Sequence, residues 1–287
     1  MPDHLLTRLA TPADQPNLLR LLEDARHTFA AFGPEDVPRL LADDLCLIAL
    51  DDHGVSAFLT ARPGQGDWAF LRGLAIRDHW RLDDGLDALL QPALAHLRAA
   101  HIAHLAVYAT ALWLPPLLQR AGFEQHEWLI TLERHARAQP DPVLPTDEAH
   151  LRAVQPADLP ALLALDAAAF APLYQLSRQE LVSYMITSGY FVVIASLVAD
   201  EPQLLGYACA DVFDETGQII RLAVHPAAQG RGIGRALLNA AVGYCAAAGA
   251  RRCIINTQRS NTASLHLYET YGFRRVGPRV PLLARAL

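Results

Sequence analysis

Residues 222–238 read LAVHPAAQGRGIGRALL, and their types and spacing suit the binding of a pyrophosphate. The apolar start predicts a strand, and the glycine-rich stretch after it predicts a turn that opens a helix. Free N–H groups at a helix start attract anions, and the helix dipole adds about half a positive charge there. Gly232 and Gly234 lack a Cβ, so a phosphate can approach the backbone. Arg231 and Arg235 offer charge-assisted hydrogen bonds.

Two other glycine-rich phosphate loops do not fit this segment. The nucleoside triphosphate loop needs a lysine, and the chain contains none. The dinucleotide fingerprint G-x-G-x-x-G is not met, because Gly230, Gly232 and Gly234 fall on every second residue. The remaining alternative is structural: the glycines would only let a helix pack closely on a strand.

A second motif follows further along the chain. Asn261 precedes a short predicted helix that carries Tyr268, and a Gly-Phe pair comes after it. Together the two motifs resemble the GNAT superfamily of acyl-CoA-dependent N-acetyltransferases, whose pyrophosphate motif is Gln/Arg-x-x-Gly-x-Gly/Ala. Gln229, Gly232 and Gly234 stand at those motif positions.

This resemblance, which spans about residues 151–280, implies an acetyl-CoA site. It implies that the pantetheine arm lies along the strand backbone, with a hydrogen bond from Asn261 and an oxyanion contact from the Val224 N–H. Tyr268 would protonate the departing thiolate, and no metal is expected. The candidate cofactor-binding residues are Leu222, Val224, Gln229, Gly230, Arg231, Gly232, Gly234, Arg235 and Asn261.

The general base that accepts the amine proton is not identified by the sequence. Many members of the family use a Glu on or near the central strand, where this chain has Gln218 and Arg221. The open alternatives are Asp211, Asp214, Glu215 and, through a bound water, Asn256.

The sequence contains two copies of one ordered set of motifs. RLATPADQPNLL at residues 8–19 matches RAVQPADLPALL at residues 152–163, and later matches keep the same order. Three prolines in ARAQPDPVLPT, between the copies, suit a linker. We therefore predict domains at 1–136 and 147–287, joined by a linker at 137–146.

Each copy alternates strand and helix patterns, which predicts the α/β (α+β) class. In the second copy, strands are expected at 190–198, 204–212, 218–224 and 252–257, and helices at 233–247 and 263–271. With the resemblance, this implies two tandem GNAT-like domains, each a mixed, mostly antiparallel sheet flanked by helices.

The first copy lacks the residues that carry the chemistry. Its loop positions hold Asp84 and Leu86, and its Asn and Tyr positions hold Ala111 and Leu118. A carboxylate repels a phosphate, so we expect this copy to keep the fold without acetyl transfer. Tandem GNAT proteins of the mycothiol synthase type resemble this layout.

Composition narrows the classes of function. The formal net charge is −6, whereas a protein that binds nucleic acid is usually basic. No apolar run is long enough for a membrane span, and no signal peptide is evident, so a cytoplasmic location is expected. His96, His101 and His104 have no carboxylate or cysteine partners in the pattern, so we interpret them as surface residues.

The predicted function is transfer of an acetyl group from acetyl-CoA to a primary amine by the second domain. The acceptor would be a peptide N-terminus, as in the ribosomal-protein N-terminal acetyltransferases that this half is similar to, or a small-molecule amine. A non-catalytic acyl-CoA sensor or scaffold is the alternative, and a nucleic-acid binder is a weaker one. The chain would be a monomeric pseudo-dimer or a homodimer.

Overall fold

The computed structural model describes residues 6–137, 149–196 and 203–287. Within these ranges the chain forms two compact units, one made of residues up to 127 together with 280–287, the other of 128–279. The predicted linker at 137–146 lies outside the described residues, apart from Arg137.

The first unit is a sheet between two helical layers. Its strands β1 to β6 are Leu6–Leu9, His27–Ala30, Leu45–Asp51, Gly54–Pro63, Trp68–Ile76 and His104–Tyr108. Its helices α1 to α4 are Gln15–Asp24, Val37–Asp43, Leu82–Ala99 and Leu114–Arg120. The order is β1-β3-β4-β5-β6, with β2 beside β5, and only β5 and β6 run parallel.

Alternation along β3 separates the two cores of this unit. Leu47 packs with residues of α3 and α4, and its neighbour Ile48 packs with Leu18 and Leu40 of α1 and α2. Successive side chains of a strand point to opposite faces, so helices cover both faces of the sheet.

The second unit repeats this plan. Its strands β7 to β13 are Glu124–His135, Ala149–Ala153, Tyr190–Ser196, Leu204–Phe213, Thr216–Val224, Arg252–Gln258 and Arg274–Ala286, the first and last of which also extend into the first unit. Its helices α5 to α8 are Leu159–Ala169, Arg178–Thr187, Ile233–Ala247 and Thr262–Thr270. The order is β7-β12-β11-β10-β9-β8, and only β11 and β12 run parallel. The predicted mixed, mostly antiparallel α/β architecture is confirmed.

The last strand of each sheet comes from the other repeat. Residues 129–135 of β7 pair with β12 in the second unit, and residues 282–286 of β13 pair with β6 in the first. This division differs from the predicted boundaries 1–136 and 147–287. The physical reason is that an open sheet edge accepts any strand that reaches it in register, and a sequence repeat does not specify which strand does.

The histidines of the first unit have structural contacts. His104 stacks on Trp68 with ring centroids 4.4 Å apart, and His96 Nδ1 lies 2.8 Å from the Pro92 carbonyl oxygen. In the described ranges, no three His, Cys, Asp or Glu side chains are placed to hold a metal ion. The described part of the chain contains no helix long and apolar enough to cross a membrane.

Candidate functional site

The site begins where β11 and β12 separate. The two strands pair in parallel from Thr216 opposite Arg252 to Ile219 opposite Ile255, and no further. At the same point the register between β11 and β10 shifts, so that Ile220 is skipped. Such a bulge bends a strand and increases its twist. The end of β11 therefore pairs only with β10 and borders a gap on its other side.

The backbone of Leu222 and Val224 faces this gap. Val224 lies opposite Gly206, and the N–H of the next residue, His225, donates to the Leu205 carbonyl oxygen at 2.9 Å. In an antiparallel ladder, this hydrogen bond identifies Val224 and Gly206 as a non-hydrogen-bonded pair. The N–H and C=O groups of such a residue point away from the partner strand. The N–H and C=O of Val224, and those of Leu222 two residues earlier, thus point away from β10.

The loop after β11 has the conformation that its glycines predict. A short 3₁₀ turn, Pro226–Ala228, is followed by Gly230 with φ 73° and by Gly232 with φ 84°. Both lie in the left-handed region that glycine enters without a steric penalty. Gly232 is the N-cap of the 15-residue helix α7. The first N–H groups of such a helix have no partner within it, so they are available to an anion.

The other loop residues shape the same region. The Gln229 side-chain amide donates to the Val224 carbonyl oxygen at 3.3 Å and ties the loop to the strand end. A Cβ on Gly234 would lie 3.3 Å from Leu267 Cδ2, so α7 and α8 approach closely here. Arg231 is exposed and does not line the groove between the strand end and the two helices.

A groove of about 430 Å³ joins these parts. It is lined by Leu222, Val224, Gln229, Gly230, Gly232, Gly234, Arg235 and Asn261, together with Phe170 of the second unit's helical layer. The structure therefore brings every predicted cofactor-binding residue to one groove except Arg231.

A smaller cavity of about 70 Å³ adjoins the groove and contains Tyr268. Phe170, Leu222, Asn261 and Ser264 line both. Asn261 caps α8, because its Oδ1 accepts the Ser264 N–H at 3.1 Å. Tyr268 is 4% exposed, and burial raises its pKa to about 12. The phenol therefore carries its proton at neutral pH, the state that a general acid needs.

The carboxylates considered as general base lie elsewhere. Asp214 and Glu215 form the turn between β10 and β11, at the opposite end of β11 from Val224, and Glu215 pairs with Arg251 at 2.9 Å. Asp211 is opposite Gln218, near that same turn. Of the described residues that line the two cavities, none is an Asp or a Glu.

A buried ion pair beside Tyr268 was missed by the sequence analysis. Arg221 on β11 donates to Asp166 on α5 from Nη2, at 2.7 Å to Oδ1 and 2.9 Å to Oδ2, and from Nε at 3.0 Å. The Tyr207 hydroxyl also donates to Asp166, and the Arg221 guanidinium lies 3.6 Å from the centre of the Phe170 ring. One signal was available: each charged residue stands alone in an apolar element, and a buried charge needs a partner.

The corresponding loop of the first unit is acidic and contains no glycine before the helix. A Cβ on Gly85, near the start of α3, would lie 2.7 Å from Ile76 at the end of β5, so helix and strand are in contact. Leu86 is buried, and Asp83 pairs with Arg120 at 2.9 Å. The cavity beside this helix start is lined by Asp51, Asp52, His53, His79, Trp80, Arg81 and Asp84.

Solved structures of GNAT proteins share this fold. The GCN5-related N-acetyltransferase from Sphaerobacter thermophilus superposes with a TM-score of 0.66 at 18% identity, covering 100% of this chain and 96% of that one. A tandem GNAT protein from the clavulanic acid biosynthesis pathway gives 0.66 at 14% identity, covering 99% and 98%. Two GNAT-like units in one chain are therefore an established architecture.

Sequence comparison finds similarity to the same family. Residues 159–273 match the Acetyltransferase (GNAT) family. Mycothiol acetyltransferase from Gordonia bronchialis is 27% identical over 270 residues, covering 89% of this chain and 87% of the relative. The one from Rhodococcus jostii is 26% identical over 288 residues, covering 94% and 90%. The second half of the chain is thus similar to GNAT acetyltransferases, and these similarities support an acyltransferase.

Proposed function

We propose that the second unit transfers an acetyl group from acetyl-CoA to a primary amine. The observation that carries this proposal is the groove at the end of β11, where free helix N–H groups and an unpaired strand backbone meet. A pyrophosphate suits the helix start, and an extended amide-containing arm suits the backbone of Leu222 and Val224. Arg235 adds a cation to the groove.

Acetyl-CoA supplies a thioester whose carbonyl carbon an amine can attack, with a thiolate as leaving group. The Val224 N–H, which faces the groove, hydrogen-bonds the carbonyl oxygen as negative charge develops there. The C–N bond forms as the C–S bond breaks, and Tyr268 donates its proton to the sulfur. The proton that the amine loses passes to water, since no described carboxylate lines either cavity, and water returns a proton to the Tyr268 phenolate. Asn256 lines the smaller cavity and can hold that water.

The first unit, in this proposal, keeps the fold without binding acetyl-CoA. The helix start that would receive a pyrophosphate has Asp83 and Asp84 in its first turn. Carboxylates at that position occupy the place of a bound pyrophosphate, and their negative charge repels it.

Release of the CoA thiol in the presence of amines tests the proposed function. We expect release from acetyl-CoA to depend on an added amine and to be matched, mole for mole, by acetylated amine in mass spectrometry. The acceptor panel includes peptide N-termini, amino sugars, polyamines and, because of the named relatives, mycothiol-type amines. Acetyl-CoA binding without amine-dependent release across the panel would indicate an acyl-CoA-binding scaffold instead.

A further inference from the structure

Two buried cysteines of the second unit face each other between α7 and β12. Cys245 lies in the last turn of α7 and Cys253 on β12, both are fully buried, and their thiols hydrogen-bond each other. Gly217 on β11 lies against both, because a Cβ added there would be 2.5 Å from Cys245 Sγ and 3.3 Å from Cys253 Sγ. The two sulfurs therefore share the space that a side chain at residue 217 would fill.

The first unit fills the same place with apolar side chains. There the parallel pairing of β5 and β6 puts Ala69 opposite Leu105. The equivalent pair in the second unit, 148 residues later, is Gly217 opposite Cys253. The same offset puts Leu97 of α3 at the position of the helix cysteine, and all three residues of the first unit are buried. Since the fold packs two leucines here, its core does not require two sulfurs at this place.

The hydrogen bond between the two thiols makes them unequal in acidity. It lowers the pKa of Cys253, to which the Arg134 cation on the neighbouring strand β7 also contributes, although burial opposes both. It raises the pKa of Cys245, and burial acts in the same direction. The thiolate is the form of cysteine that attacks an oxidant or a disulfide. Cys253 is therefore the nucleophile, and Cys245 is the second thiol that stands beside it to complete a disulfide.

We propose that Cys245 and Cys253 are a redox-active pair that forms a reversible disulfide between α7 and β12. The oxidant is a peroxide or a small disulfide. With hydrogen peroxide, the Cys253 sulfur attacks one oxygen, the O–O bond breaks, and a sulfenic acid and one water form. The Cys245 sulfur then attacks the Cys253 sulfur, the S–S bond forms, and a second water leaves. The two thiol protons end in the two waters, and the peroxide accepts the two electrons.

The disulfide joins two elements whose other ends border the groove and the small cavity. Helix α7 begins beside the groove at Gly232, and β12 reaches the small cavity at Asn256. A bond that closes residues 245–253 into a ring also restricts the unfolded chain, which stabilises the folded unit. Because both sulfurs are buried, oxidation of the folded protein requires a local opening at the end of α7. The pair therefore responds slowly to an oxidant, and the bond stabilises the second unit once it has formed.

Refolding in a glutathione buffer tests this proposal at equilibrium, so that burial of the thiols does not limit the result. The full chain is unfolded, refolded in an excess of oxidised or of reduced glutathione, alkylated, and digested with trypsin, which cleaves between the two cysteines after Arg251 and Arg252. We expect peptides 236–251 and 253–259 to be disulfide-linked after oxidation and separately alkylated after reduction. We expect the oxidised protein to melt about 5 °C above the reduced protein.

Cys209→Ala is the matched control, because Cys209 is equally buried but belongs to another core cluster of the same unit. We expect this variant to keep the linked peptides and the rise in melting temperature, and Cys245→Ala to lose both. Free thiols or glutathione adducts at both positions of the oxidised wild-type protein would overturn the proposal, whether or not Cys245→Ala folds. A disulfide that fails to raise the melting temperature would contradict its fit to the native structure. These readouts do not involve acetyl transfer, so they stand or fall separately from the proposed function.

Discussion

Replacing Gly232 by Asp is expected to weaken acetyl-CoA binding by at least about 100-fold, or about 2.7 kcal/mol. Gly232 caps α7 with φ 84°, a conformation that a residue with a Cβ adopts only at a cost. The new carboxylate would stand at the helix start, where it competes with the pyrophosphate for the N–H groups and repels it. Calorimetric titration with acetyl-CoA measures the change.

Gly249→Asp is the matched control for this prediction. Gly249 follows the other end of α7 with φ 89°, and no atom lies within 4 Å of an added Cβ. Its substitution places the same side chain in the same strained backbone region, outside the groove. We expect wild-type affinity for acetyl-CoA from this variant. Equal affinity of the two variants, with thermal unfolding showing both folded, would contradict the assignment of the pyrophosphate to this loop.

Tyr268→Phe is expected to lower kcat by about 100-fold or more, the usual contribution of a positioned general acid. Acetyl-CoA affinity should be nearly unchanged, because Tyr268 lies in the small cavity and phenylalanine preserves its packing against Phe273. The acid acts only in its protonated form, and burial holds the pKa of Tyr268 at about 12. Tyr268 itself therefore causes no loss of wild-type kcat until the pH approaches that value.

The control for this substitution is Tyr271→Phe, at the C-terminal end of the same helix. The Tyr271 hydroxyl donates to Asn239, and the residue lines neither the groove nor the small cavity. We expect wild-type kcat from Tyr271→Phe. A Tyr268→Phe variant as active as this control would mean that water, and not the phenol, protonates the thiolate.

Local features of the site were predictable from the sequence. Gly230 and Gly232 predict positive φ angles, and the apolar stripe after them predicts a helix. The structure confirms both, with α7 at Ile233–Ala247. The strand predicted at 204–212 is confirmed at Leu204–Phe213 within one residue. Both kinds of signal depend on a few neighbouring residues, so a single sequence contains them.

Features that depend on distant contacts were not predictable. Asp166 and Arg221 are 55 residues apart in the chain, and neither residue alone indicates which residue is its partner. The exchange of β7 and β13 between the sheets is set by which strand reaches each open edge, so a sequence repeat does not specify how these two strands are divided between the compact units. The bulge at Ile220, which opens the groove, lies in a strand whose residues 219–224 are apolar apart from Arg221, and this pattern does not indicate a bulge.

The most direct test of a single working acetyl-CoA site is the stoichiometry of binding. Calorimetric titration of the purified full chain with acetyl-CoA should fit one site per chain, located in the second unit. Two sites of comparable affinity would contradict the account of the acidic loop at Asp83 and Asp84 in the first unit. Absence of binding would contradict the groove at the end of β11 as an acyl-CoA site.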